Sequence, residues 1–331
     1  MTTQEQAAQE RRIVVLAAIA LLAMIAAYFL PIWWVSLTAP NYPQESFPQG
    51  IRIHFHFDGV YNGCTVQPSS VGRQGEVLQQ DIGGEGERYN PVLTEDEDVN
   101  KGAQGLDCLH EMDTINHYVR MFPISTGAPV ERVLAKFFFA FFATMLVGFM
   151  VPLSRPGLRF GVLAAGFTAV AVWMLVDQYG MGRLDAHVQG YVSDAAAYFN
   201  EPERVRHWGE NVRTVTHFVV AGLIAAMLVV LAGVRMSPKF SLLLALVPAL
   251  LPLYFVVTYA AWLWFFGHNL HPWGAFTVKP FMPTLFGEGK VAQFSTYSYP
   301  YWGFALLVVV FLCLVPAALL RRQQMRGATP G

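Results

Sequence analysis

The hydrophobic pattern divides the chain into six apolar runs, at 13–35, 133–153, 160–176, 214–234, 240–266 and 301–320, separated by alternately short and long polar connections. Each run reaches or approaches the roughly 20 residues a helix needs to cross the hydrocarbon layer. The third is the shortest, and Gly161 and Gly166 within it predict close helix contact. The short connections and both tails are basic: Arg11 and Arg12, Arg155 and Arg159, Arg235 and Lys239, then Arg321, Arg322 and Arg326. Basic short connections belong on the cytoplasmic side, so the long connections 36–132, 177–213 and 267–300 are predicted to face outward. Trp33, Trp34, Trp262, Trp264, Tyr301 and Trp302 fall at the outward ends, as an interfacial aromatic belt does. The predicted class is an all-α membrane protein, a six-helix transmembrane bundle with a mixed extracytoplasmic cap built from three outer loops. The tails 1–12 and 321–331 are predicted to be cytoplasmic. The first run is long for a signal-peptide core and ends in Pro31-Ile32-Trp33-Trp34 rather than small residues, so an uncleaved anchor is expected.

Within the long connections the period changes. Ile51, Ile53, Phe55 and Phe57 alternate with Arg52, His54 and His56, which predicts a strand with one apolar face, and Gly59 and Asn62-Gly63 predict a turn after it. Residues 67–105 are Gly-rich and acidic, and read as an insertion carrying a solvated charge run. Residues 107–121 can form a helix halted before Pro123, which aligns His110, Asp113, His117 and Met121 on one face; Asn116 and neighbouring β-branched residues leave a loop as the alternative. A short amphipathic helix on the bilayer surface is expected around 188–208. In the third loop Pro272, Pro280 and Pro283 favour extended structure.

Composition narrows the class. Charged residues are 14% of the chain and hydrophobic ones 54%, and the mean hydropathy is +0.38. A net charge of −1 gives no case for nucleic-acid binding. Of the 9 histidines, eight lie in the predicted outer segments and His217 opens the fourth run on the same side. Imidazole and thioether suit copper, and thioether favours its softer oxidation state. His117 and Met121 are four residues apart, and His268 and His271 lie near Met282; His54 and His56 share a strand face. The expectation is that His117, Met121, His268 and His271 converge in the cap as a copper site, with His54, His56 and Met282 as further candidate ligands. Asp177 and Asp185 are candidates for orienting imidazoles. Each has a plainer reading: a strand's wet face for His54 and His56, packing for the methionines. His207 and His217 lack any ligand pattern and read as hydrogen-bonding residues. Cys64 and Cys108, both in the first outer loop, can form a disulfide suited to an oxidising exterior or a thiolate metal pair; the disulfide is preferred.

The absences matter as well. The centres of the runs hold essentially no ionisable residue, which argues against an ion-coupled pump. Paired histidines for an intramembrane haem are missing, and there is no CxxCH, Walker or nucleophile-elbow motif. No nucleophile–base arrangement is visible, so an accessory role is expected rather than catalysis.

Two segments resemble a known family. They are Thr114-Ile115-Asn116-His117-Tyr118-Val119-Arg120-Met121-Phe122-Pro123-Ile124 and the stretch GHNLHPWGAFTVKPFMPTLFGEGKVAQFSTYSYP at 267–300. They are similar to the INHYIGM and GHNLDP…TAYSFP segments of small integral membrane proteins encoded with nitrous oxide reductase and its copper chaperone. The stretch FLPIWWVSLTAPNYP, which follows the first run, is also similar. The resemblance covers most of the chain in order; the second outer loop matches less well and the acidic insertion falls outside it. Val119-Arg120 stands where that family has Ile-Gly, which replaces the residue expected at a close backbone approach. The resemblance implies a bacterial inner-membrane accessory protein with periplasmic loops. It implies copper handling, or maturation of or electron supply to a cuproenzyme, with that enzyme, a copper chaperone or a cytochrome as partner. The alternative is a docking module for a periplasmic reductase or cytochrome without bound metal.

Overall fold

The computed structural model describes residues 3–40, 42, 47–64, 107–198, 201–275, 277–291 and 293–327. The expected insertion 67–105 lies outside them. Helix α1 (Thr3–Phe29) packs along α9 (Trp302–Gly327). Its buried positions Ile13, Ala17, Ala20, Met24 and Ala27 recur every three or four residues and meet Leu307, Val310, Leu314 and Ala317, spaced likewise. The alanines let the two backbones approach closely.

The first run ends as helix at Phe29, not at Val35. Pro31 disfavours helical geometry at the residue before it, and the chain turns into strand β1 (Trp33–Thr38). That strand pairs antiparallel with β2 (Ile51–Phe55) on one side and with β5 (Phe294–Pro300) on the other. With β3 (Val60–Asn62) and β4 (Gly287–Val291) the sheet runs β3-β2-β1-β5-β4. The all-α expectation is therefore corrected: the protein is mostly helical, with a five-stranded antiparallel sheet as its cap. The reason is connectivity. β1 continues α1 and β5 leads into α9, so a packed helix pair continues as a strand pair. Tyr301 N–H donates to the Ile32 carbonyl at 2.8 Å and Gly303 N–H to the Pro31 carbonyl at 2.8 Å, carrying the ladder to the helix ends. A side chain at Gly303 would sit 2.8 Å from the Pro31 oxygen, so the crossing requires glycine. In β2, Ile51, Ile53 and Phe55 are buried and Arg52 and His54 are not, as the alternation predicts.

Helix α2 (Cys108–Tyr118) lies against β2. The bundle is completed by α3 (Pro129–Met150), α4 (Pro156–Leu175), α6 (Pro202–Met236), and the pair α7 (Leu243–Ala249) and α8 (Leu251–His268). Proline opens α3, α4 and α6 at the position where a missing N–H costs nothing. Among the described residues, five helices are long and apolar enough to cross a membrane; the segments Pro238–Ala249 and Leu251–His268, bent by 51°, would make a sixth. The expected span 240–266 is thus broken near Leu250, between Pro248 and Pro252. Helix α6 starts twelve residues before the expected 214 and forms a hairpin with α5 (Arg183–Tyr198). These two helices replace the single amphipathic helix expected around 188–208.

At the bundle end opposite the sheet, Arg321 is fully buried. It donates to Glu10 Oε1 at 2.7 Å and to the Phe149 carbonyl at 2.9 Å, joining α9 to α1 and to the end of α3. Arg159 donates to the Val151 carbonyl at 2.6 Å. Two of the basic residues that mark this end are therefore struts.

Candidate functional site

Helix α2 starts at Asp107, whose carboxylate accepts from the backbone N–H groups of Leu109 and His110, both at 3.1 Å. It stops three residues before the expected end. Arg120 takes the left-handed conformation, φ 71°; its N–H donates to the His117 carbonyl at 3.0 Å and that of Met121 to the Asn116 carbonyl at 2.8 Å. This pair of bonds is the helix-ending motif that glycine normally serves. The arginine thus holds a backbone geometry that suits glycine better. Close approach comes from the other side: a side chain at Gly274 would clash with Arg120 Cγ and lie 3.0 Å from the Tyr118 carbonyl oxygen.

Arg120 binds the third connection at two points. His271 N–H donates to the Arg120 carbonyl at 2.7 Å, and Arg120 Nε donates to the His271 carbonyl. The His271 ring is buried, accepts at Nδ1 from Trp273 N–H at 3.0 Å, and has Nε2 3.3 Å from a carboxylate oxygen of Glu201, the cap of α6. Burial pushes its pKa down, against the raising influence of Glu201; His117 is near enough to lower it further. His117 and His271 are therefore neighbours across the lock.

The other candidates go elsewhere. His268 donates from Nδ1 to the Trp264 carbonyl at 2.8 Å and stacks on the Trp264 ring at 4.5 Å. Met121 is buried in an apolar cluster with Val119, Phe122, Val205 and Phe266, and Met282 is 44% exposed. His54 stacks on Tyr301 at 5.4 Å, and His56 meets Tyr61 edge-on at 4.7 Å. Burial, then the Arg52 charge and His56, hold the His54 pKa down to about 4. Asp177 pairs with Lys136 at 2.8 Å and Arg183 at 3.3 Å, and Asp185 with Arg213 at 2.8 Å, so these carboxylates engage cations rather than imidazoles. Cys64 and Cys108 form a disulfide, fixing the start of α2 beside β2. Among the described residues no three His, Cys, Asp or Glu side chains are placed to share an ion. As arranged, the donors do not fit a resident copper centre, and no chemistry is routed through one.

Two adjoining cavities lie where the cap meets the bundle, sharing Ile124, Tyr259 and Leu263 as a common wall. One is rich in aromatic side chains, including Phe55, Phe57, Tyr254 and Trp262, and contains the Glu131 carboxylate, which accepts from Trp262 Nε1 at 3.0 Å. The second is lined by Met112, Asn116, Met121 and Phe281. Sequence reasoning placed Trp262 in an interfacial belt and passed over Glu131. A lone acid opening an apolar run, between Pro129 and Arg132, was the available signal.

No family model matches this chain, and no curated protein or solved structure matches it.

Proposed function

We propose that the protein is an integral membrane accessory protein whose cap docks an extracytoplasmic redox partner. The bundle crosses a bacterial inner membrane six times, with the basic end and both tails cytoplasmic. The cap faces the periplasm and meets a cuproenzyme such as nitrous oxide reductase, its copper chaperone or a cytochrome. The apolar helices, the basic residues gathered opposite the sheet, and the resemblance at 114–124 and 267–300 support this reading.

The observation that carries it is the use made of the histidine motifs. His271 and Arg120 hold the third connection against α2, and the next residues present Trp273, 73% exposed, beside Tyr118, 45% exposed. Trp and Tyr held on a rigid support are the side chains that most often anchor interfaces. An interface that orders little on binding loses little of its contact energy.

The test is binding of purified nitrous oxide reductase, chaperone or cytochrome to the full chain in nanodiscs. Trp273→Ala is expected to weaken binding by about tenfold or more, the range of an interface anchor, with melting unchanged. Wild-type affinity in that variant, or no binding by any of the three, rejects docking. Metal analysis provides the contrast: stoichiometric copper that is lost in His117→Ala would favour copper handling instead.

A further inference from the structure

Two cavities on the face formed by α1, α3 and α4 join at Tyr28 and Lys136. One is an apolar groove lined by Met24, Ile25, Phe29, Phe139, Ala143 and Trp173. Ala140 and Ala143 keep it open on α3, and from Ala143 to Lys136 it follows two helical turns, about 10 Å. The other is a polar crevice toward the cap, containing Asp58, Arg132, Asp177, Arg183 and His187. Apolar groove and charged crevice are thus stacked along the bundle axis, with Lys136 at the boundary. The Lys136 ammonium lies 5.0 Å from the Phe137 ring, 5.8 Å from the Trp173 ring and 2.8 Å from the Asp177 carboxylate, so the charged head sits where the aromatic side chains meet the crevice.

The crevice has an excess of positive charge. Within its own lining Arg132, Lys136 and Arg183 face Asp58 and Asp177, three cations against two carboxylates, and Asp194 lies in the adjoining cavity that shares Arg132 and His187. Lys136 and Arg183 share the single carboxylate of Asp177, and the Arg183 side chain is 64% exposed. An ammonium offers three donors and a guanidinium five, more than one shared carboxylate can accept. His187 adds no charge of its own while neutral: burial lowers its pKa, and Nε2 is 2.6 Å from the Pro129 carbonyl oxygen.

We propose that this paired groove and crevice is a binding site for an anionic glycerophospholipid of the outer leaflet. One acyl chain lies in the groove between α1 and α3, and the phosphate sits among Arg132, Lys136 and Arg183. A headgroup of charge −1 neutralises the excess cation, whereas a zwitterionic one leaves it uncompensated. The inference rests on the membrane reading given above, and the two can fail separately.

The test uses the full chain, purified in detergent and stripped of lipid, then titrated with phosphatidylglycerol or phosphatidylcholine and read by native mass spectrometry. Phosphatidylglycerol is expected to be retained preferentially. Arg183→Gln is expected to weaken its retention by about fivefold, as loss of one partly exposed charge contact does. Ala143→Leu, which fills the groove without touching a charge, is expected to weaken both chain-bearing lipids. Equal retention of the two lipids, indifference to both substitutions, or displacement of the lipid by inorganic phosphate alone overturns the proposal. A carbonate wash of native membranes keeps the readings apart: release of the chain defeats the membrane reading, while retention without lipid selectivity defeats only this one.

Discussion

Arg120 and His271, 151 residues apart, bond to each other in both directions, backbone to backbone and guanidinium to backbone. The contact joins the end of α2 to the third connection, and it exists because Arg120 adopts a conformation unusual for a residue with a side chain. Arg120→Ala keeps the left-handed strain and loses the guanidinium bond, which predicts a loss of about 1–2 kcal/mol. Arg120→Gly loses the same bond but relieves a strain of about 1 kcal/mol. Thermal melting should therefore rank wild type above glycine and glycine above alanine; alanine equal to or above glycine would refute the assignment of strain.

Gly274 packs against the same lock. Gly274→Ala introduces a methyl group 3.2 Å from the His117 carbonyl oxygen and in conflict with Arg120 Cγ. Displacing that stem is expected to cost about 1–3 kcal/mol and to raise protease sensitivity of the third connection. Unchanged melting and proteolysis would show that the connection yields freely.

The Cys64–Cys108 disulfide closes a separation of 44 residues. Loop-closure entropy predicts that Cys108→Ser lowers stability by about 2–4 kcal/mol. Reductant should shift the melting of the wild type and leave the variant unmoved.

Acid should loosen the cap through His54. Its pKa is held down to about 4 from 6.5 by burial first, then by Arg52 and His56. The folded state keeps the ring neutral, while the unfolded chain takes up a proton near 6.5. Stability is thus fully present above that value and falls as pH decreases toward about 4. His56, His187 and His271 are lowered too and contribute in the same direction. Melting followed from neutral pH to acid should show this decline, with a shallower slope in His54→Gln; identical slopes would rule out His54 as a contributor.

The apolar helices, the helix within 107–121 and the strand at 51–55 were legible because each is governed by local rules: hydrophobic length, a proline that halts a helix, and a period of two. Strands β1 and β5 were not. Trp33-Trp34-Val35 is as apolar as the helix before it, and only pairing with Ile53 and Ser298 makes it the centre of a sheet. Candidate ligands were selected by residue type, which says what an imidazole could bind and nothing of where its ring points. Trp264, one turn back on the same helix, holds His268, while Tyr301 stacks on His54 and Lys136 takes Asp177 from positions the donors' own segments do not specify.

By itself the sequence determined which stretches are apolar enough to leave water and where basic residues gather between them, because transfer energies sum residue by residue along the chain. Only the tertiary structure decided that the first and third polar connections share one sheet, that Arg120 and His271 lock the third connection to α2, and that Arg321 is buried as a strut. Those outcomes depend on which distant donors and acceptors meet in space, and a buried polar group is stable only where such a partner is supplied.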